Sequence, residues 1–412
     1  MKVKIYSDTI EENAIVQFNK CLEMKGCVQG ALMPDAHAGY TAPIGSVLKF
    51  KNRISPQLVG YDIGCGMSAI RLNIKKDELT NEDLIFIKNK ILKDIPIGKG
   101  KHSKEQNINL DVENTSDLIK NIVKKSGIYQ LGTLGGGNHF IEVGYDKDDF
   151  INIVIHSGSR GVGGSVADHY MRLSVKENFD TSELIEKYKK EFKDKNGSWE
   201  PNNPDAYLKH ENIYVKKELD KEISKMDIEG YYSFDINSES GMNYLKDMNF
   251  ALVFALENRR TMIDVIVNIF RRYYTKKDIT TSRFINRNHN HAEIVDEYII
   301  HRKGATHALK GMLGVIPGNM KDGSFIVVGK GNEDSMCSSS HGAGRVLSRQ
   351  KALNEIDVDD FHKEMEGIIT NHNEHTRDEA PKAYKNIFEV MDMQKELVEV
   401  IDRVIPIINV KG

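Results

Sequence analysis

The sequence predicts an α+β fold in a single interwoven domain, with β-sheets flanked by helices around a deep cleft. Short apolar runs separated by glycine-rich turns fill much of the chain, which is typical of strands. A long stretch after residue 248 has apolar residues at helical spacing. The 412 residues suffice for one large domain, and no linker or internal repeat divides them.

The first part of the chain predicts strands and one helix. Residues 80–95, TNEDLIFIKNKILKDI, have helical periodicity and a threonine near the start that can cap a helix. A glycine-rich turn leads into a strand within 132–145, GTLGGGNHFIEVGY. The remaining apolar runs predict strands at 44–50, 57–64, 67–74 and 151–156.

The second part begins with a change in composition. Residues 165–250 are charged and helical in pattern, so we expect a helical insertion within a domain spanning 1–412. The single tryptophan, Trp199, could pack inside it or stack on an RNA base, and we favour packing. The tail from Ala383, AYKNIFEVMDMQKELVEVIDRVIPIINV, predicts a closing helix and then a short apolar end. A long helix is predicted at 248–274, followed by strands at 297–306, 313–318 and 324–331.

The composition restricts the class of protein. The formal net charge of −3 excludes a general basic surface, so local lysines and arginines would have to hold any polyanion. Four cysteines without a CxxC pair are typical of a reducing compartment. We find neither a secretory signal nor a run of about 20 apolar residues, which predicts a cytoplasmic protein that does not enter the membrane.

Potential metal ligands occur at turns in four separate stretches. These are DIGCG, GGGNHFIE, VIHSGSRG and NRNHNHAEI. Carboxylate, thiolate and imidazole together favour a borderline transition ion such as zinc or manganese, and one thiolate can bridge two ions. The stretches therefore predict a two-metal site, with candidate ligands Asp62, Cys65, His139, His156, His289 and His291.

Glycine-rich loops and one unusual histidine point to a phosphorylated ligand. The loops GTLGGGNH, HSGSRGVGG, PGNMKDG and GKGNEDS can turn backbone N–H groups toward phosphate, and Arg160, Lys303 and Arg345 lie within or beside such loops. In SSSHGAGR, His341 has only small neighbours, which leave room for a bulky substrate. An imidazole there could be a metal ligand, a general base or a nucleophile at phosphorus, and spacing does not choose among them.

Several long motifs, in order from residue 34 to the end, resemble the RtcB family of RNA ligases. They are PDAHAGYTAPIGSV, VGYDIGCGM, GTLGGGNHFIEV, HSGSRG, HRKGAT, SHGAGR, DEAPKAYK and the terminal Lys-Gly. The resemblance implies an RtcB-like fold around a metal-containing cleft and a GTP- and Mn²⁺-dependent ligase of tRNA splicing or RNA repair. The sequence departs from the usual pattern in PDAHAGYTAP, which loses a glycine, and at Asn319, where many members have serine.

The resemblance also assigns roles to residues. Two Mn²⁺ ions would be bound by Asp62, Cys65, His139, His156 and His289, with Cys65 bridging. The family's His-Asn pair selects His289 rather than His291 as the ligand. His341 would attack GTP and carry GMP. Asp35 would take part in the chemistry of the nucleotide or of the RNA ends. RNA phosphate would be held by Arg160, Lys303 and Arg345. The nucleotide site would comprise Asn138, Phe140, Glu142, Asn290, Pro317, Gly318, Asn319, Met320, Ser324, Gly342, Ala343, Gly344, Tyr384 and Lys411.

The implied reaction joins an RNA end with a 2′,3′-cyclic phosphate or 3′-phosphate to a 5′-hydroxyl end. It would proceed through a histidine-GMP intermediate and an RNA 3′-phosphate activated by GMP, in a monomer that could use a helper protein such as archease. Two alternatives remain at this point. One is a metal-dependent phosphodiesterase or nuclease, which would not need GTP, and the other is a catalytically inactive guanine-nucleotide- or RNA-binding module.

Overall fold

The computed structural model describes residues 1–196 and 203–412, so Trp199 and the prediction made for it lie outside the described residues. The strands are β1 (Lys2–Ile5), β2 (Cys27–His37), β3 (Ile44–Lys51), β4 (Arg53–Ile54), β5 (Gly66–Lys75), β6 (Phe140–Tyr145), β7 (Phe150–Ser157), β8 (Phe234–Asp235), β9 (Thr281–Asn288), β10 (Asn290–Val295), β11 (Tyr298–Lys303), β12 (Ala305–His307), β13 (Leu313–Pro317), β14 (Ser324–Gly329), β15 (Ser338–Ser340), β16 (Ile369–Thr370) and β17 (Val398–Lys411).

The α-helices precede, interrupt and follow these strands. They are α1 (Glu12–Leu22), α2 (Pro56–Val59), α3 (Asn81–Asp94), α4 (Asp117–Ile122), α5 (Ile128–Gln130), α6 (Gly161–Asn178), α7 (Ser182–Asn196), α8 (Pro204–Ile223), α9 (Glu239–Tyr273), α10 (Arg349–Glu355), α11 (Val358–Glu364) and α12 (Ile387–Met393). No helix within the described ranges combines the length and the apolar character needed to cross a membrane.

Two sheets organise the fold. The larger has the order β13-β14-β17-β6-β7-β5-β9, with β16 added beside β17, and the smaller has the order β1-β2-β3-β11-β10. Two short pairs, β12-β15 and β4-β8, lie outside them. Neighbouring strands are often distant in sequence, and strands and helices share one fold, so the α+β prediction of an interwoven domain is confirmed.

Helices α3 and α9 cover one face of the larger sheet. Thr80 caps the start of α3, since its hydroxyl accepts the Asp83 N–H while the Asp83 carboxylate accepts the Thr80 N–H. Buried residues of α3 and α9, such as Ile87 and Ile266, pack against Ile153 and Ile155 of β7 in one apolar cluster. This packing fixes the strands whose ends carry the candidate site.

The charged region at 165–250 divides into parts with different surroundings. Its helices α7 and α8 pack on each other and are largely exposed. By contrast, α6 and α9 contribute Val166, Tyr170 and Tyr244 to a buried cluster. Both ends of the predicted insertion thus take part in the core.

Two predictions of secondary structure are wrong. Residues 57–64, predicted as a strand, form part of α2 and a turn, because Ser55 caps a helix that starts at Pro56. The tail, predicted to be mainly helical, has the short helix α12 followed by the 14-residue strand β17. The alternating burial of β17 fits its place between β14 and β6, where a helix could not pair with both.

Candidate active site

A cleft of about 710 Å³ lies where several strands end. Cys65 precedes β5, His156 lies near the end of β7, and His289 separates β9 from β10. His341 follows β15, and Lys411 ends β17. All five side chains line the cleft, although they are far apart in the sequence.

A cluster of potential metal ligands lies at the cleft. Cys65 Sγ lies 3.3 Å from His139 Nε2 and 3.2 Å from His156 Nε2. His156 Nε2 is also 3.3 Å from His289 Nε2, and Asp62 Oδ2 is 3.1 Å from His139 Nε2. The structure thus brings the five predicted ligands into one continuous cluster of donor atoms.

The backbone orients two of the imidazoles. His139 Nδ1 lies 3.0 Å from the Leu134 carbonyl oxygen, and His156 Nδ1 lies 3.2 Å from the Asn138 carbonyl oxygen. Since a carbonyl only accepts, each Nδ1 donates to it, and in the neutral ring this leaves the Nε2 lone pair facing the cluster. This is the tautomer that binds a metal ion through Nε2.

Burial favours the neutral forms of two of the imidazoles and of the thiol. It lowers the pKa of His156 and His289 well below the usual value, so both imidazoles are unprotonated at neutral pH, as metal binding would require. It also raises the pKa of the Cys65 thiol, which must therefore lose its proton when it binds a metal ion.

Arg259 of α9 supports the cluster from behind. Its guanidinium is fully buried and donates to the carbonyl oxygens of Gly64 and Ser157, next to Cys65 and His156. It also donates to the side-chain oxygens of Asn286 and Asn288, just before His289. One side chain therefore connects three of the ligand-bearing segments.

His341 is held by Asp35, which lies in β2 and is fully buried. His341 Nδ1 is 2.7 Å from Asp35 Oδ2, and its ring centroid is 4.8 Å from that of His289. The turn after His341 passes so close to β2 that a Cβ at Gly344, where φ is +76°, would lie 2.2 Å from the Asp35 carbonyl oxygen.

A second charged cluster forms another part of the cleft wall. Lys411 Nζ lies 2.8 Å from Glu379 Oε2, and Arg345 Nη1 lies 3.1 Å from Glu379 Oε1. Tyr384 donates its hydroxyl to the same carboxylate. Burial would raise the pKa of Glu379, but the charges of Lys411 and Arg349 outweigh it and hold the pKa at about 2.

Most other predicted nucleotide-binding residues line the cleft, but Glu142 and Ser324 lie behind its wall. Glu142 is buried beside Ser324, and burial raises the pKa of its carboxyl to about 8. The side-chain amide of Asn290 donates to the Asp62 carbonyl oxygen and accepts a hydrogen bond from the Gly304 N–H. The residues at the cleft surface are Asn138, Phe140, Asn290, Pro317, Gly318, Asn319, Met320, Gly342, Ala343, Gly344, Tyr384 and Lys411.

The three cations predicted to hold RNA phosphate have different surroundings. Lys303 lines the cleft with only 8% of its surface exposed, and its ammonium lies 3.3 Å from the Gln57 carbonyl oxygen. Arg345 lines the cleft within the Glu379 cluster. Arg160 lies outside the cleft lining and donates to the Thr133 hydroxyl and the Gly98 carbonyl oxygen.

Three residues of the site were not predicted. Glu379 and Arg349 organise the second cluster, and Arg259 supports the first. Glu379 lies within the motif DEAPKAYK, which could have revealed it, whereas Arg259 and Arg349 have no distinguishing pattern around them. Together, the thiol, imidazoles and carboxylates beside an Asp-supported histidine define the candidate active site of a metal-binding enzyme.

Comparison with known proteins identifies the kind of enzyme. A family model described as "tRNA-splicing ligase RtcB" matches residues 17–124 and 109–412. The RNA-splicing ligase RtcB of Escherichia coli K12 is 33% identical over 407 residues, covering 93% of this chain and 90% of the relative. The tRNA-splicing ligase RtcB of Nanoarchaeum equitans is 29% identical, covering 92% and 87%. The chain belongs to the RtcB family of ligases, as the resemblance of its motifs predicted.

Proposed function

We propose that this chain is a GTP- and Mn²⁺-dependent RNA ligase that joins 2′,3′-cyclic phosphate or 3′-phosphate ends to 5′-hydroxyl ends. One observation carries the proposal. His341, oriented by Asp35, lies beside His289 of the metal-binding cluster in a cleft of nucleotide size. The proposed nucleophile and the proposed metal site would thereby be adjacent.

The residues present fit a two-metal site. Asp62, Cys65, His139, His156 and His289 supply a carboxylate, a thiolate and imidazoles, and Cys65 Sγ lies within 3.3 Å of two ring nitrogens, so its thiolate could serve both ions. The His289 Nδ1 is buried without a partner in the described chain. Bound Mn²⁺ ions would neutralise the phosphate oxygens of GTP and RNA.

The first chemical step that we propose belongs to His341. Asp35 Oδ2 accepts a hydrogen bond from Nδ1–H, which leaves the Nε2 lone pair free to attack the α-phosphorus of GTP. An N–P bond forms, the bond to the β-phosphate oxygen breaks, and pyrophosphate leaves. Asp35 stabilises the positive charge that the ring acquires in this step.

The RNA steps use the histidine-bound GMP. Water first opens a 2′,3′-cyclic phosphate to a 3′-phosphate, an oxygen of which then attacks the GMP phosphorus and breaks the N–P bond. The 5′-hydroxyl of the second end attacks the activated 3′-phosphorus and expels GMP, which completes the phosphodiester. Lys303 and Arg345, both in the cleft lining, would hold RNA phosphates, and Arg160 would extend this role outside it.

The nucleotide would occupy the wall that contains Phe140, Tyr384 and Lys411. The Lys411 ammonium lies 5.3 Å from the Phe140 ring centroid and next to the Glu379 carboxylate, so cationic, aromatic and acidic groups converge there. Asn138 and the loops 317–320 and 342–344 would surround the phosphates and sugar, with Glu142 and Ser324 behind them.

The wider assignments follow from the same proposal. We place residues 1–412 in one catalytic domain with the helical insertion, acting as a cytoplasmic monomer with archease as a possible helper in the cell. RNA splicing and RNA repair use the same end chemistry, so either would be served by this site.

The proposal is tested by covalent labelling. Metal-stripped protein is incubated with Mn²⁺ and α-³²P-GTP, beside His341→Ala and the control His375→Ala, whose side chain is exposed outside the cleft. We expect acid-labile, alkali-stable label on the wild type and the control, and none on His341→Ala. Absence of label on all three, with metal bound, would contradict the ligase mechanism and favour a phosphodiesterase or an inactive binding module.

A further inference from the structure

The motif NRNHNHAEI contains a histidine that the cleft does not use. His291 lies in β10, is only 3% exposed, and does not line the cleft. Neither of its ring nitrogens has a hydrogen-bond partner within residues 1–196 and 203–412. A buried imidazole without partners is unfavourable unless a ligand completes it.

Two other potential metal ligands surround this imidazole. His307 in β12 stacks on it, with ring centroids 4.8 Å apart and an angle of 30° between the planes. Glu293, two residues along β10, has its Oε1 atom 2.8 Å from His307 Nε2. Ligand atoms from all three side chains lie within 4.8 Å of one another.

We propose that His291, Glu293 and His307 form a second metal site, separate from the cleft, that binds Zn²⁺. Two imidazoles and one carboxylate are a frequent zinc ligand set, with the fourth position taken by water or a further side chain. This inference does not depend on GTP, RNA or the ligase activity, so it can fail or hold independently of the proposed function.

The surrounding charges are compatible with a divalent ion. Arg302 Nη1 donates to Glu293 Oε1 at 2.5 Å, and other nitrogens of its guanidinium donate to the Ser338 hydroxyl and the Met336 carbonyl oxygen, which hold it in place. In the described part of the chain, both bonds to this carboxylate end on Oε1, so Oε2 is available to the ion. Zinc bound through Glu293 Oε2 and His307 Nε2 would displace the proton from that ring nitrogen, while Arg302 would keep its bond to Oε1.

The site would stabilise the segment that precedes His341. The β12 strand, which carries His307, pairs only three residues with β15, and one of these pairs joins His307 to Ser338. An ion bound by side chains of β10 and β12 would link the β12-β15 pair to the smaller sheet, which contains β10. We therefore expect zinc at this site to be structural and to restrict the backbone that leads to His341.

The experiment measures zinc bound to the metal-free protein after equilibration with Zn²⁺ and gel filtration. The variants are Cys65→Ser, His307→Gln and their combination, with His375→Gln as an exposed-histidine control. His307 is partly exposed, so its substitution should preserve the fold. We expect His307→Gln to bind one zinc ion fewer than the wild type, and the double variant one fewer than Cys65→Ser, while His375→Gln binds as much as the wild type.

Thermal unfolding supplies the second measurement. Because zinc bound only to the folded state raises the unfolding temperature, added Zn²⁺ should raise it in Cys65→Ser and raise it less in the double variant. Matching unfolding temperatures in EDTA would show that both variants are folded. Equal zinc contents in Cys65→Ser and the double variant, both folded, would overturn the second site.

Discussion

Asp35 Oδ2 accepts hydrogen bonds from His341 at two atoms, 2.7 Å from its ring Nδ1 and 3.2 Å from its backbone N. The Gly342 N–H donates to the same oxygen at 3.2 Å. One carboxylate oxygen thus fixes the ring, the tautomer and the turn that carries the proposed nucleophile. The small residues around His341, which suggested space for a substrate, also allow the turn to approach Asp35 this closely.

Asp35→Asn should slow the formation of the histidine-GMP intermediate by about 10²–10⁴-fold, because the amide cannot stabilise a protonated imidazole. Single-turnover labelling with α-³²P-GTP measures the rate. Asp8→Asn, at an exposed position, is the control. Labelling of Asp35→Asn at the wild-type rate would show that this carboxylate is not needed for the transfer.

Cys65→Ser should weaken Mn²⁺ binding at least about tenfold, because it replaces the proposed bridging thiolate. Burial raises the pKa of the Cys65 thiol, so metal binding should release its proton and become weaker as the pH falls. Calorimetric titrations in buffers of different ionisation enthalpy measure this release. We expect it to decrease in Cys65→Ser but not in Cys27→Ser, and an unchanged release would argue against Cys65 as a ligand.

Lys303 should make RNA binding sensitive to alkaline pH. Burial lowers its pKa to about 8, so its ammonium loses the proton, and with it the attraction for phosphate, as the pH rises through that value. We expect the affinity for a 3′-phosphate RNA to fall by up to about tenfold between about pH 7 and about pH 9. Fluorescence anisotropy at constant ionic strength measures this change.

Lys303→Arg provides the comparison for this pH dependence. Its guanidinium stays charged throughout the range, so the decline in affinity should be smaller than in the wild type. Lys310→Arg, at an exposed position, should retain the wild-type decline. The same decline in all three proteins would assign the titration to another group.

Glu379→Gln should lower the free energy of unfolding by about 3–5 kcal/mol, because it leaves the buried Lys411 without its counter-charge. Burial opposes ionisation of Glu379, but Lys411 and Arg349 hold its pKa at about 2, below the usual 4.5. The carboxylate therefore stabilises the fold fully above about pH 4.5, and this contribution disappears as the pH falls toward 2. Urea unfolding at several pH values tests this, with the exposed Glu374→Gln as control.

Arg259→Lys should destabilise the protein by about 2–4 kcal/mol and weaken metal binding, because an ammonium cannot reach all the acceptors of the guanidinium fork. The neighbouring Arg260→Lys is an appropriate control, since Arg260 is exposed on the same helix. Urea unfolding and metal titration give the two readouts. Equal stability of the two variants would show that the buried network tolerates the loss of the fork.

The sequence predicts elements with clear local periodicity better than elements that depend on pairing with distant strands. Helix α3 and strands β5 and β7 have clear periodicity and match their predictions closely. By contrast, β17 contains Glu399, Asp402 and Arg403 among its apolar residues, so its pattern also fits a helix. Only its pairing with two distant strands, β14 and β6, makes it a strand.

The site shows the same limit. Histidines and a cysteine at the turns of four stretches indicate candidate metal ligands, and the resemblance of their motifs to one family selects five of the six. The side chains that hold these residues in place are brought to them by tertiary contacts, which the sequence does not reveal. Arg259 lies in a long amphipathic helix where an arginine is ordinary, and its burial follows from the packing of α9 against the sheet. The resemblance selects His289 over His291, and the structure places His291 in a separate cluster with Glu293 and His307.

The position of β17 in the larger sheet has a consequence for biosynthesis. It pairs with β14 on one side and β6 on the other, and β6 is made early while β17 is made after every other strand. During translation, the edges of β6 and β14 that later bind β17 therefore remain unpaired, and they can pair with other chains. A product interrupted before residue 398 keeps both edges open and lacks Lys411, so we expect it to aggregate and to be a target for chaperones and proteases.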